Sequence, residues 1–162
     1  MIGVISDTHD NMEAIRKAVE FFNNKKVEFV VFAGDFLTPL SVEPFKNLEC
    51  GLKGVFGNNE ADKINVNKKL ADIDSNFSDF LELEHDGKRI AIYHGHIPGI
   101  LNALVECGIY DIVIAGHTHT PEITLEGKTL LLNPGECCGY LTGVQTIATL
   151  DVKELKAEIH EL

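Results

Sequence analysis

The sequence predicts an α/β fold in which strands and helices alternate early and antiparallel strands accumulate late. Three observations predict it. Short apolar runs of strand length alternate with helix-period segments in the first part of the chain, the pattern of a sheet covered by helices. Asp86-Gly87 between two alternating runs is a hairpin signal. Strand after predicted strand then runs out into a small residue or turn carrying a carboxylate, an amide or an imidazole.

Taken in order, Met1-Ile2-Gly3-Val4-Ile5 reads as a short buried strand. Asp10-Asn11-Met12-Glu13 reads as a capping box, Asp10 as N-cap and Glu13 reaching back, ahead of Met12, Ile15, Val19 and Phe22 at helical spacing. Residues 27–33 (VEFVVFA) form a nearly continuous apolar run, as in a central strand covered on both faces, and end in Gly34-Asp35. Pro39 and residues 41–48 suggest a short helix, and residues 51–56 a third strand that runs out at Gly57-Asn58-Asn59-Glu60. Residues 62–73 are polar and weakly helical, a segment expected to border the site. Residues 80–84 and 89–93 flank the Asp86-Gly87 turn, and Tyr93 leads into His94-Gly95-His96. A helix begins at Pro98, carries Ile100, Leu101, Leu104 and Val105 as its apolar stripe and stops at Gly108. Residues 111–115 (DIVIA) deliver Gly116-His117-Thr118-His119. Residues 122–125, 129–132, 144–152 and 156–159 read as antiparallel strands closing a second sheet.

Composition bounds the function. One domain over residues 1–162 fits the length, and 44% apolar content is enough for a real core. A net charge of −11 without a basic cluster argues against long nucleic acid and anionic lipid as partners. The N-terminus lacks a signal-peptide pattern, and no apolar run approaches the ~20 residues of a membrane span, so the expectation is a soluble, cytoplasmic protein. Cys50, Cys107 and the adjacent Cys137-Cys138 show no C-x-x-C spacing and read as small buried or loop residues, not as a disulfide framework or thiolate zinc site.

The chemistry lies at the strand exits. Asp7 and His9 stand two residues apart, as do His117 and His119, and an extended chain would turn each pair to one face. With Asp35, Asn58 and His94 they make seven oxygen or nitrogen donors at five strand ends, a set that chance placement does not explain. Imidazole, carboxylate and neutral amide together suit manganese, iron, nickel, cobalt or zinc better than calcium or magnesium.

The order D-x-H, G-D, G-N-x-E, H and G-H-x-H resembles the calcineurin-like metallophosphoesterases, and the short chain is similar to their small bacterial and archaeal phosphodiesterase members. The resemblance implies a four-layer αββα sandwich of two mixed β-sheets flanked by helices, with a two-metal site at the carboxyl edges of the strands. By match of motif, Asp7, His9, Asp35 and His119 would hold one metal and Asp35, Asn58, His94 and His117 the other, Asp35 bridging them. The implied cofactors are two divalent transition-metal ions, manganese or nickel first, with iron, cobalt or zinc as alternatives. The implied substrate is a small phosphodiester, and small members of the family often self-associate, which an edge strand of the C-terminal sheet could support. Two divalent ions less the charges of Asp7 and Asp35 leave about +2 in an acidic protein, a local attraction for phosphate. Ions ~3.5–4 Å apart share a water that loses its proton near neutral pH and attacks phosphorus in line.

One position departs from the pattern. Many members carry a histidine that can protonate the leaving group where this chain has Asn59, and an amide can hydrogen-bond a phosphate oxygen but cannot donate a proton as a general acid. That favours diesters, or esters with good leaving groups. Glu60 is expected to orient a ligand imidazole; His96, in phase with His94, reads as facing the phosphate or standing behind the ligands, with a plain structural role as the alternative, and His85 and His160 read as surface residues. Two alternatives compete: a nucleotide or protein phosphomonoesterase, weakened by Asn59, and a non-catalytic scaffold like the related retromer subunit, which has no need of seven intact donors.

Overall fold

A computed structural model describes residues 1–162. The first sheet begins with β1 (Ile2–Ile5), which hands over to helix α1 (Met12–Lys25) and then β2 (Phe29–Ala33). A 3-10 helix (Pro39–Asn47), β3 (Gly51–Val55), helix α2 (Lys63–Leu70), a short 3-10 turn (Ala71–Ile73) and β4 (Phe77–Ser78) follow. The second sheet opens with the hairpin β5 (Leu81–His85) and β6 (Lys88–Ile92), then helix α3 (Pro98–Glu106), β7 (Ile112–Ile114), β8 (Glu122–Glu126) and β9 (Thr129–Asn133). The chain closes with β10 (Thr146–Asp151) and β11 (Lys156–Glu161).

The strand orders are β11-β10-β1-β2-β3-β4 and β5-β6-β7-β9-β8. Strands β1 to β4 run parallel, as do β6, β7 and β9, and both sheets are mixed. Alternation along buried strands builds the layers. Val30 and Phe32 face α1 and the 3-10 helix, joining Ile15, Val19, Phe22, Phe45 and Phe77, while Val31 and Ala33 face Ile90, Ile92, Ile112 and Ile114 of the other sheet. On the far side of the second sheet, Ala91 and Val113 meet Val105 and Tyr110. The result is the four-layer αββα sandwich with helices outermost on both sides. No helix is long and apolar enough to cross a membrane.

Three points of the fold differ from the sequence reading. The last two strands belong to the first sheet, not the second: β10 pairs antiparallel with β1, Ile2 opposite Leu150. The reason is burial, because residues 146–150 are buried without alternation, which requires cover on both faces, and the slot beside β1 provides it. The two-residue edge strand β4 lies in the segment between the weakly helical region and the hairpin, too short to give a period. The third correction concerns the start of α1. Its N-cap is Asn11, whose side-chain oxygen accepts from the Ala14 amide at 3.2 Å while its Nδ2 donates to the Cys138 carbonyl at 2.9 Å. Asp10 instead accepts from the Thr38 amide and hydroxyl at 3.1 and 3.0 Å and from the Ser41 hydroxyl, tying the loop after β2 to the loop after β1. Glu13 is exposed and pairs with Lys17.

Asn11→Ala therefore lowers stability by about 1–2 kcal/mol, from a lost cap and a lost loop contact, whereas Glu13→Ala stays within about 0.5 kcal/mol; urea denaturation of the two variants separates the assignments.

Candidate metal centre

Asp7 follows β1, Asp35 follows β2, Asn58 follows β3, His94 follows β6, and His117 and His119 follow β7. The ends of the two sheets meet, so these loops converge on one point. They do so by left-handed backbone and not by extended alternation: Asp7, His9, Asp35, His117 and His119 have φ of 52°, 41°, 65°, 69° and 61°. Non-glycine residues adopt that region rarely and at a cost, and such residues concentrate at functional sites. Backbone hydrogen bonds between loops hold them there. The amides of Asp7, Thr8, His9 and Asp10 donate to the carbonyls of Gly34, Asp35, Asp35 and Phe36, and the amides of Cys137 and Cys138 donate to those of Ser6 and Asp7. The glycines that precede the donors leave room for them: a Cβ on Gly34 would lie 2.4 Å from His94 Nδ1, and one on Gly57 2.1 Å from Asp35 Oδ1.

Asp7, Asp35 and His94 are buried, with acceptor atoms within 4.8 Å of one another. His94 Nδ1 lies 2.8 Å from the Ala33 carbonyl, which can only accept, so Nδ1 carries the proton. Nε2 of the neutral ring is then a lone pair, and it faces a second lone pair, Asp35 Oδ1, at 3.3 Å. His119 repeats the arrangement: Nδ1 donates to Glu136 Oε2 at 2.7 Å, and Nε2 stands 3.4 Å from Asp7 Oδ1. His9 Nε2 lies between the carboxylates, 3.8 Å from Asp7 Oδ1 and 3.5 Å from Asp35 Oδ2, its ring stacked on His119 with centroids 5.1 Å apart. Asp7 Oδ1, His9 Nε2 and His94 Nε2 are buried without hydrogen-bond partners. Buried acceptors aimed at one another fit a shared cation.

Electrostatics agree. Burial opposes charge on His94, yet the facing Asp35 outweighs it and raises the His94 pKa; the nearby carboxylates of Asp7 and Asp35 raise that of His9. Burial pushes the Asp35 carboxyl up, but the facing His94 imidazole and the two hydrogen bonds from Asn59 outweigh it and hold it well below the usual carboxylate range. The field that draws protons to these rings also draws divalent cations.

The structure brings Asp7, His9, Asp35, His94 and His119 into direct apposition. His117 joins them through its amide, which donates to Asp7 Oδ2 at 3.0 Å, with its ring 5.2 Å from that of His94. Asn58 is exposed on the loop beside them. Its neighbour Asn59 holds Asp35, Nδ2 donating to Oδ2 at 2.7 Å and the amide to Oδ1 at 3.0 Å. His96 is half-buried next to the cluster, 5.8 Å from the His94 ring and 6.4 Å from His117. Glu60 meets no imidazole: its oxygens accept from the amides of Phe36 and Gly57 at 2.9 and 2.7 Å, locking the second and third loops together. The imidazoles are oriented instead by Ala33 and Glu136.

Glu136 is what the sequence reading missed. It is fully buried, and although burial pushes its carboxyl up, the bonds from His119 and Thr142 bring it down to about 2. Only its place in the loop after β9 could have signalled it. Cys138 lies alongside, its sulfur within 4.8 Å of the donor atoms of His9 and His119, and burial pushes its thiol up to about 12. All four cysteines are free. His85 and His160 are less exposed than expected, His85 packing on Phe29 and His160 on Phe21.

The comparisons agree with this geometry. The calcineurin-like phosphoesterase superfamily domain matches residues 1–155. Phosphodiesterase MJ0936 of Methanocaldococcus jannaschii is 40% identical over 99% of this chain and 97% of its own, and a probable metallophosphoesterase of Methanothermobacter thermautotrophicus is 33% identical over 98% and 91%. A solved archaeal phosphodiesterase superposes with a TM-score of 0.96 at 39% identity, covering 99% of both chains. Vps29 of Chaetomium thermophilum shares the fold alone, with a TM-score of 0.74 at 16% identity over 99% of this chain and 95% of its own. With its strand-end donors gathered at the meeting edge of two mixed sheets, the chain belongs to the calcineurin-like phosphoesterase superfamily.

Proposed function

We propose that this protein is a metal-dependent phosphodiesterase that hydrolyses small phosphodiesters. The observation that carries the reading is the pair of facing acceptor sets, Asp7 with His119 and Asp35 with His94, next to each other and bridged by His9. Asp7, His9, Asp35 and His119 would hold one divalent ion, and Asp35, Asn58, His94 and His117 the other; the mixed donor set favours manganese or nickel, then iron, cobalt or zinc. When bound, a pair of divalent ions supplies positive charge for the phosphoryl oxygens and a water acidified toward neutral pH. The chain's own residues set the geometry. Ala33 and Glu136 fix the His94 and His119 rings, and Asn59 fixes Asp35. Asn59 and His96, beside the donor cluster, would border the phosphate and hydrogen-bond its oxygens.

Asn59 shapes the specificity. It brings no proton to a leaving oxygen, so alkyl monoesters, whose leaving group needs one, are poor substrates, and diesters with stable leaving groups are good ones. The likeness to Vps29, at low identity, speaks for shape only, and the intact donor set favours catalysis over a scaffold.

The test uses chelated protein with each divalent metal restored in turn, assayed on an aryl phosphodiester beside its monoester. Diester cleavage should return with manganese or nickel, and silence with every metal would overturn the reading. Asp35→Asn should lose more than the ~10–100-fold typical of residues that only support a ligand. Asn59→His should raise monoester relative to diester hydrolysis by about 100-fold, the gain that a positioned proton donor gives, although loss of the Nδ2 bond to Asp35 lowers the diester rate itself.

A further inference from the structure

We infer that Glu136 is a positioning residue for the metal centre: it fixes His119 with Nδ1 protonated and Nε2 free to bind, and it fastens the loop of residues 140–142 to the same point. The inference rests on the reading of His119 as a metal ligand.

Glu136 follows β9 through Pro134-Gly135, and its own carbonyl accepts from the Thr146 amide at 2.9 Å, so its backbone is held where β10 begins. Its side chain is fully buried. The carboxylate accepts from the amides of Tyr140 at 3.1 Å, of Leu141 at 3.0 Å and of Thr142, from the Thr142 hydroxyl at 2.7 Å, and from the Cys138 thiol at 3.2 Å. Consecutive backbone amides curled round an anion make a nest that keeps it ionised without a cationic partner. Those donors suffice to satisfy a carboxylate. One of its oxygens nevertheless also accepts a hydrogen bond from His119 Nδ1–H at 2.7 Å.

That extra bond does chemical work. A carboxylate behind an imidazole selects the tautomer, fixes the ring plane and raises the basicity of the opposite nitrogen. Nε2 of His119 is thereby presented toward Asp7 Oδ1, where a metal would sit. Because the same carboxylate gathers residues 140–142, the exposed side chains of Tyr140 and Leu141 stand on a loop whose position is coupled to the His119 ring. His94 has only a neutral carbonyl behind it. The two halves of the centre therefore differ in ligand basicity, the half with His119 being the more strongly donating.

The test is a metal titration followed by calorimetry on wild type, Glu136→Gln, His119→Ala and the double variant, each shown to be folded by circular dichroism. Glu136→Gln should weaken one of the two metal equivalents by about 10- to 100-fold and leave the other near wild type. In the His119→Ala background the same change should add little, since it acts through a ring no longer present. Equal binding of both equivalents by Glu136→Gln, or a full and additive loss in the double variant, would overturn the inference. Because the glutamine amide meets the loop's own N–H donors and could compromise folding, imidazole nitrogen-15 shifts of zinc-loaded wild type give a second measurement. His119 should show a proton on Nδ1, and a proton on Nε2 would overturn the inference. Wild type that binds no metal would instead overturn the functional reading itself, and this inference with it.

Discussion

A lone pair facing a lone pair across 3.3 Å, in a place without water's dielectric, is the constraint on which the rest of the structure depends. His94 Nε2 and Asp35 Oδ1 are both acceptors because the Ala33 carbonyl has claimed the proton at the other end of the ring. Bringing them together requires β6 of one sheet to end over β2 of the other. The two sheets must therefore pack face to face with their carboxyl edges aligned, and the aliphatic layer of Ile2, Val4, Val31, Ile90, Ile112 and Ile114 does that. The core positions the site, and the divalent ions that the family implies would bring to one point the positive charge that a protein of net charge −11 needs to receive an anion.

The strain of the arrangement is considerable. Five non-glycine donors in the left-handed region cost on the order of 1 kcal/mol each, a sum comparable with the lower end of a domain's whole stability of about 5 kcal/mol. It persists because each loop is held by its neighbours. The loop after β1 hangs from carbonyls of the loop after β2, and the segment after β9 hangs from the loop after β1. Asp10 and Glu60 add side-chain ties in the same spirit, each carboxylate joining backbone of adjacent loops. Much of what surrounds the donors is thus a lattice of loop-to-loop bonds that forces an unfavourable backbone to stay in place.

How much of this the sequence reveals depends on the range of each interaction. The donors were legible because strand exits are local features, a run of apolar residues followed by glycine and a polar group, and five in order form a pattern that length and charge cannot produce. The alternation of helix and strand was legible for the same reason. Sheet membership of β10 and β11 was not, since a buried strand carries no mark of which partner buries it. Nor was the N-cap: Asp10 and Asn11 are both good caps, and the choice falls to Asn11 because Thr38 and Ser41, distant in sequence, take Asp10. Glu136 was hidden because its partners are backbone amides, a thiol and a hydroxyl of its own loop and a ring 17 residues away, none of which leaves a spacing rule. Facing by period two predicted the right neighbours for the wrong reason, the convergence coming from left-handed turns.

The place of β10 has a consequence for the order in which the protein is made. Every candidate donor lies before residue 120, yet β1 is flanked on one side by β10, and the Asp7 loop is pinned by the amides of Cys137 and Cys138. A chain emerging from the ribosome thus carries all the candidate donor side chains before it has the frame that sets their angles. Contacts of such long sequence separation close late. The donors consequently take their final angles only when β10 has paired with β1 and residues 137–138 have reached the Asp7 loop.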